Sequence, residues 1–423
     1  MQIWIRRCAL LLLPLGFLAV MVAAPLLSLA FYDGEGAWAE VVADDYMRLR
    51  LGWTVAQAVL TCVLVTALGV PAAWVLARMD FAGRRTVLRL LMLPFVMPTL
   101  VAGMGVLALF GAHGMLAAGW QDTPWLLIYG NVFFNLPVLV RSAYQGFVRV
   151  PQARLLSAQS LGADAWRRFI WVEWPVVRAW VAGGTCLVFL YCFSGFGLAL
   201  LLGGERFATV EVEIYRLVAY ELDMARASVL VWLVLAVTAA AGGLYAYWSR
   251  RVAVDKSVSP LPPRAPIWAW EKWLTATVLT MLAVCCLLPL AAVWLKAVSA
   301  GSSWAALLEA QTWTAVWNTI RFSAAAVAAA TVLGVLYAAA ARQMAWLRAL
   351  MFLPFMVSPV CIAFGVLLLY PQWTASLWLL TATYALLAYP FVAKEVLAAG
   401  DGMPKDDEEE QRTMGANGVQ TAC

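Results

Sequence analysis

Long unbroken apolar stretches alternate along this chain with short polar ones. After Arg6-Arg7 an apolar run extends to Phe31, and further runs follow at 53–77, 88–110, 124–141, 176–202 and 227–248. A polar stretch at 249–267 holds Arg250-Arg251 with Pro260, Pro262, Pro263 and Pro266. Four more runs occupy 272–296, 315–341, 347–370 and 374–393. A continuous run of about 20 residues crosses ~30 Å of hydrocarbon as a helix. A barrel strand would instead alternate polarity over about 10 residues. The pattern predicts an all-α polytopic membrane protein with six spans, a linker and four spans. The first run is longer than the apolar core of a secretory signal. It is expected to stay as an uncleaved helix, although Ser28-Leu29-Ala30 imitates a cleavage site.

Composition agrees. Hydrophobic residues make up 64% of the chain, charged residues 13%, and mean hydropathy is +0.81. A soluble domain carries roughly 45–50% apolar and about 25% charged residues. With the N-terminus in the cytoplasm and sides alternating, 22 of the 29 Lys and Arg fall inside. Arg48, Arg50, Arg206, Arg216, Arg226, Lys296 and Arg321 fall outside. That asymmetry predicts an inner-membrane protein with a cytoplasmic N-terminus. The net charge of +5 thus reports topology, and no basic stripe interleaved with aromatics points to nucleic acid. Cys62, Cys186, Cys192, Cys285, Cys286 and Cys361 lie within apolar runs, as small packing residues do. The single histidine, His113, the lack of a CxxC pair and the lack of any Gly-Lys step predict no metal, no cofactor and no ATPase site on this chain.

The chain also repeats itself. Leu93-Pro94-Phe95-Val96-Met97-Pro98 recurs as Leu353-Pro354-Phe355-Met356-Val357-Ser358-Pro359. Pro137 recurs as Pro390, Arg141 as Lys394, Pro151 as Pro404 and Gly162-Ala163 as Gly415-Ala416, all at an offset of 253. Both copies face the same side, which predicts a parallel repeat about an axis along the membrane normal. The expected divisions are a first half at 1–248, a cytoplasmic linker at 249–267 and a second half at 268–423.

The longest inside loop, 149–175, carries the candidate function. Pro151 stands where a helix starts, and Leu155, Leu156, Gln159 and Ser160 fall on one face of it. Gly162 can take positive φ and turn the chain. A second short helix, 163–172, is expected to end at Pro175, where the next span begins. An amphipathic helix–glycine–helix offered to the cytoplasm suits a soluble partner. In the spans, Asn135 either bonds a neighbouring helix or faces a pore. Tyr191, Phe193 and Phe196 read as packing residues. The acids of the outside loop, Glu205, Glu211, Glu213, Glu221 and Asp223, read as a solvated face.

The loop resembles the EAA loop of binding-protein-dependent ABC importer permeases. Leu156-Ser157-Ala158 take the Glu-Ala-Ala places, Gly162 the glycine, Val172 the apolar place and Pro175 the proline. Leu156 departs from the acid of that pattern. Phe133-Phe134-Asn135-Leu136-Pro137, Val172-Glu173-Trp174-Pro175, Leu202-Gly203-Gly204 and Ala225-Arg226-Ala227 resemble the fused thiamine branch of that family over about 50–250. The resemblance implies a type I ABC importer (MetI-like) transmembrane domain made of two tandem half-permeases. It further implies coupling by Ser157, Ala158, Gly162, Ala163 and Trp166, with Gly415 and Ala416 in the second loop, 403–423. Two ABC ATPase subunits, a periplasmic substrate-binding protein and the lipid bilayer are the implied partners. The implied solute is thiamine, with ferric iron as the alternative. A secondary transporter would need intramembrane acids or histidines, and no span holds a clear one. By the offset, a partner of Pro175 would fall beyond Cys423, so the second half is expected to be incomplete.

Overall fold

The computed structural model describes residues 12–32, 36–116, 119–120, 122–250, 261–351, 358–373 and 376–401, and among them it contains helices and no strands. In chain order the helices are α1 (Leu12–Leu29), α2 (Ala37–Ala43), α3 (Asp45–Arg78), α4 (Arg84–Val96) and α5 (Thr99–Phe110). Next come α6 (Pro124–Val148), α7 (Gln152–Ser160), α8 (Ala165–Phe193), α9 (Phe196–Leu202) and α10 (Val210–Arg216). The rest are α11 (Met224–Arg250), α12 (Ala269–Val298), α13 (Ala310–Gln343), α14 (Ala345–Leu350), α15 (Pro359–Leu369) and α16 (Leu377–Asp401). Eight of the described helices are long and apolar enough to span a membrane, or nine if the bent α4–α5 pair is one span.

The stretch expected as one span at 88–110 is that bent pair, with a turn of 102° at Met97-Pro98. Pro98 offers no N–H, and a residue before proline is pushed out of helical geometry. Met97 accordingly has φ −66° and ψ 146°, and Pro98 has φ −56° and ψ 133°. Freed backbone at membrane depth must be covered by protein. Part of that cover comes from Gly197 of α9, where an added Cβ would sit 3.3 Å from Thr99 Cγ2. The run at 176–202 likewise divides, at Ser194-Gly195, into α8 and α9.

Packing groups the chain into two compact units, 34–301 and 1–33 with 302–423. The tandem halves are a reading of repetition along the sequence, whereas these units describe contact in space. In the unit at 34–301, α3, α6, α8 and α11 form the core, and α12 lies against α5. Small residues allow that close approach: a Cβ on Gly105 would come within 2.6 Å of the Pro289 carbonyl oxygen. In the other unit α13 packs along α16, and α1 packs against α15. A Cβ on Gly365 would run into the Pro25 carbonyl oxygen.

The repeat has a physical counterpart. Helices α3 and α13 both run 34 residues, and α6 and α16 both run 25 with the expected offset of 253. Within each unit the long helix packs along its 25-residue neighbour. Arg78 near the end of α3 donates to the Phe147 carbonyl of α6 at 3.1 Å, and Arg342 near the end of α13 donates to the Val396 carbonyl of α16 at 3.2 Å.

Polar side chains join the first core. Asn131 Nδ2 donates to Gln57 Oε1 at 2.8 Å, and Gln57 Nε2 donates to the Cys192 carbonyl at 2.9 Å. Asn135 is buried there and donates to the Asn131 carbonyl at 2.9 Å and to Cys192 Sγ at 3.4 Å, so it bonds a neighbouring helix. The loop at 203–226, expected to lie outside, is more folded than its acids suggested. Glu211 and Glu213 of α10 are buried, and Glu213 accepts from Tyr46 Oη at 3.0 Å and pairs with Arg216 at 2.9 Å.

An interhelical hydrogen bond in a membrane protein is worth about 0.6 kcal/mol on average and up to about 1.7. Gln57→Leu removes two such interhelical bonds, with a third to the Thr54 carbonyl of its own helix, and strands the Asn131 amide. Unfolding of the purified protein in mixed detergent micelles should show a loss of about 1–2 kcal/mol, and an unchanged midpoint would deny the ladder a structural role.

Candidate docking loop

Helix α7 starts after its N-cap Pro151, at φ −61° and ψ 128°, where a missing N–H costs no helical hydrogen bond. Its single buried side chain is Leu155, which anchors it from below. Leu156, Gln159 and Ser160, expected on the same face as Leu155, are exposed. Helix α7 ends in a Schellman turn. The Ala163 N–H donates to the Ala158 carbonyl at 3.0 Å and the Gly162 N–H to the Gln159 carbonyl at 3.0 Å. Gly162 sits at φ +80°, the left-handed geometry that such a turn requires. An added Cβ at Gly162 would meet nothing within 4 Å, so backbone conformation alone selects glycine.

Asp164 restarts the helix by accepting from the Arg167 N–H at 2.7 Å, an N-cap. The second helix of the loop, expected to stop at Pro175, runs on without interruption into the span as α8. A π-turn at Phe169–Glu173 bridges the junction, with the Trp174 N–H bonding back to the Phe169 carbonyl. The wider turn lets the helix pass the proline that lacks an N–H. Arg168 Nη1 donates to Gln159 Oε1 at 3.0 Å and ties the two arms of the loop.

The loop holds out apolar side chains. Leu161 is 87% exposed and Trp166 68%, with Leu156 beside them in sequence on the end of α7. Ser157 and Gly162 are exposed, and Ala158 and Ala163 half-buried, so five of the expected coupling residues lie on one exposed element. Gly415 and Ala416 lie outside the described residues. Trp166 stacks on Phe169 at 5.9 Å, and Phe169 on the buried Phe147 at 6.3 Å. Trp74, Trp166, Phe169 and Trp270 line a cavity of about 380 Å³ behind the loop.

Beneath the loop lies a group of residues to which the sequence assigned no role. Arg78 Nε donates to Glu173 Oε1 at 2.7 Å, and Trp74 Nε1 donates to Glu173 Oε2 at 3.0 Å. Both charged side chains are about 94% buried. The linker docks here as well. The Arg264 N–H donates to the Arg78 carbonyl at 3.0 Å, and the Asp80 N–H to the Arg264 carbonyl at 2.7 Å. Arg264 then pairs with Glu271 at the start of α12. The signal available in sequence was an acid in second place in the Val172–Pro175 motif and an arginine ending a span. Nothing in spacing joins them across 95 residues.

Membrane-length helices that turn out an exposed helix–glycine–helix describe a multi-pass membrane protein with a solvent-facing loop. Residues 66–254 match the family described as "Binding-protein-dependent transport system inner membrane component". It is 31% identical over 322 residues to the thiamine transport system permease protein ThiP of Salmonella typhimurium, covering 73% of this chain and 58% of that protein. Against ThiP of Escherichia coli it is 31% identical over 327 residues, covering 73% and 60%. Against ThiP of Brucella abortus it is 35% identical over 239 residues, covering 53% and 44%. The chain therefore spans about three-fifths or less of the length of these relatives. In fold it is similar to a bacterial ABC transporter involved in import of the acidic polysaccharide alginate, with TM-score 0.50 and 14% identity over 60% of this chain and 98% of that one.

Left-handed geometry costs a residue with a Cβ about 1–2 kcal/mol, while asparagine tolerates it better. Gly162→Val should therefore loosen the turn and speed limited proteolysis of the exposed loop several-fold in the purified protein, and Gly162→Asn should keep most of its protection. Equal cleavage of both variants would deny that left-handed geometry holds the turn.

Proposed function

We propose that this chain is the membrane-spanning permease of an ATP-driven importer, that its solute is thiamine, and that residues 149–175 are the dock for an ATPase subunit. The observation that carries the reading is the place of the exposed loop. It lies wholly inside the stretch that matches the permease family, and it presents Leu156, Leu161 and Trp166 to solvent on a turn fixed by Gly162. Exposed apolar side chains rimmed by polar ones mark a partner site. The thiamine assignment is supported by relatives named thiamine permeases across 73% of the chain.

Two tandem halves, 1–248 and 268–423, joined by the linker at 249–267, are part of the same proposal. Each would offer one docking loop to one of two ATPase subunits, with Gly415-Ala416 in the second. A periplasmic binding protein would deliver the solute. A solved relative is described in complex with a substrate-bound periplasmic protein, which supports that partner. ATP binding would close the ATPases, the docking loops would carry the motion to the helices, and the pathway would change sides. The chain itself would make and break no covalent bond. The split of 22 inside to 7 outside basic residues supports a cytoplasmic N-terminus.

Two experiments test this. An affinity tag on the permease should bring down an ATPase subunit from solubilised membranes, and proteoliposomes holding the complex should import radiolabelled thiamine only with ATP inside. Import of ferric iron without thiamine would replace the solute, and recovery without an ATPase would overturn the class. For topology, single cysteines at Ser157 and Glu205, both exposed, are placed in a background cleared of native cysteines. An impermeant thiol reagent added to intact cells should label position 205 and spare 157. Labelling of 157 from outside would reverse the orientation.

A further inference from the structure

We propose that the buried Arg78–Glu173 pair is the positioning device that passes displacement of the docking loop into the spanning helices. The proposal rests on the reading of residues 149–175 as the ATPase dock. That loop is otherwise lightly held. Helix α7 buries one side chain, and a Cβ added at Gly162 would meet nothing within 4 Å. A push on such an element would bend it unless its base were fixed.

One guanidinium fixes both ends of the base. The chain leaves α6 at Val148 and returns in α8. At the outgoing end Arg78 Nη2 donates to the Phe147 carbonyl at 3.1 Å, and at the returning end Arg78 Nε donates to Glu173 Oε1 at 2.7 Å. The second carboxylate oxygen is held by Trp74 Nε1 at 3.0 Å, one helical turn before Arg78. Both residues on the receiving side belong to α3, which is packed along α6 and α8. The backbone carbonyl of Arg78 also accepts the linker's Arg264 N–H, so the end of α3 is braced from behind.

The chemistry suits transmission. A charged hydrogen bond in a low-dielectric site is short, directional and costly to stretch. Apolar packing alone would let the loop slide. Burial also means that neither charge can turn to water when the loop is pushed, because an unpaired buried charge is strongly unfavourable. The π-turn at Phe169–Glu173 places this acid at the junction between the exposed arm and the span.

The test uses the permease complex with its ATPase and binding protein, reconstituted in proteoliposomes. Three variants are compared with the parent: Glu173→Gln, Trp74→Phe, and the paired Arg78→Met/Glu173→Met. The paired change removes both charges together and guards against a variant that fails to accumulate. ATPase co-purification reports docking. The amount of radiolabelled thiamine imported per ATP hydrolysed reports transmission. Glu173→Gln should keep the ATPase and lose about tenfold in thiamine per ATP, within the range of a typical coupling between sites. Trp74→Phe should lose less. The paired variant should accumulate and bind ATPase yet stay poorly coupled, which a merely structural brace would not do. A parental ratio in either the paired variant or Glu173→Gln would overturn the proposal while leaving the dock intact. Loss of ATPase binding by the parent itself would instead overturn the dock on which the proposal rests.

Discussion

Everything in this molecule follows from the need to satisfy backbone polar groups where no water can. A peptide group left open in hydrocarbon costs several kcal/mol, so an apolar run of membrane length has to become a helix. The breaks that remain are tied to proline or glycine. Pro98 divides the α4–α5 pair with a bend of 102°, and Gly195 follows the break after α8. Gly197, just after the second break, packs against Thr99, just after the first, so each helps to cover the other. Glycine at 105 and 365 allows close backbone approach elsewhere, to the carbonyl oxygens of Pro289 and Pro25. The same constraint explains Pro175. Its missing N–H is absorbed by a π-turn, and the helix continues from the exposed arm into the span.

That continuity bears on function. A separate short helix would be a hinge, whereas α8 is one element from Ala165 to Phe193. Its outer arm holds Trp166 in solvent, and a few residues on it buries Glu173 against Arg78. The stack of Trp166, Phe169 and Phe147 runs beside that pair. Exposed surface and core are thus consecutive stretches of a single helix. The turn at Gly162 sets where the first arm ends, and the clasp below holds the second arm to α3.

Much of this architecture was legible in residues. Eight of the long apolar runs became helices of spanning length or part of one, because hydropathy and helix rise are local quantities. The repeat was legible too, since an offset of 253 read from prolines and glycines reappears in the limits of α6 and α16. The turn at Gly162 was legible because only backbone geometry governs it. Straightness was harder to read. Hydropathy is blind to direction, so 88–110 and 176–202 looked like single rods. The burial of Glu211 and Glu213 was not legible either, because it depends on Tyr46 and Arg216 being near in space.

The sequence by itself determined that the chain is helical, membrane-spanning and internally repeated, and that one loop carries a helix–glycine–helix. Those are properties of short windows: apolar length, proline, glycine and the placing of charge. Tertiary structure decided which polar residues meet. Gln57 finds Asn131 and Cys192, Asn135 turns inward, and Arg78 closes on Glu173. Each of these pairings joins different helices, and in an apolar surrounding a buried polar group takes whichever partner the packing brings within 3 Å or so. Their choice of partner is therefore a result of the fold, with no pattern along the chain to announce it.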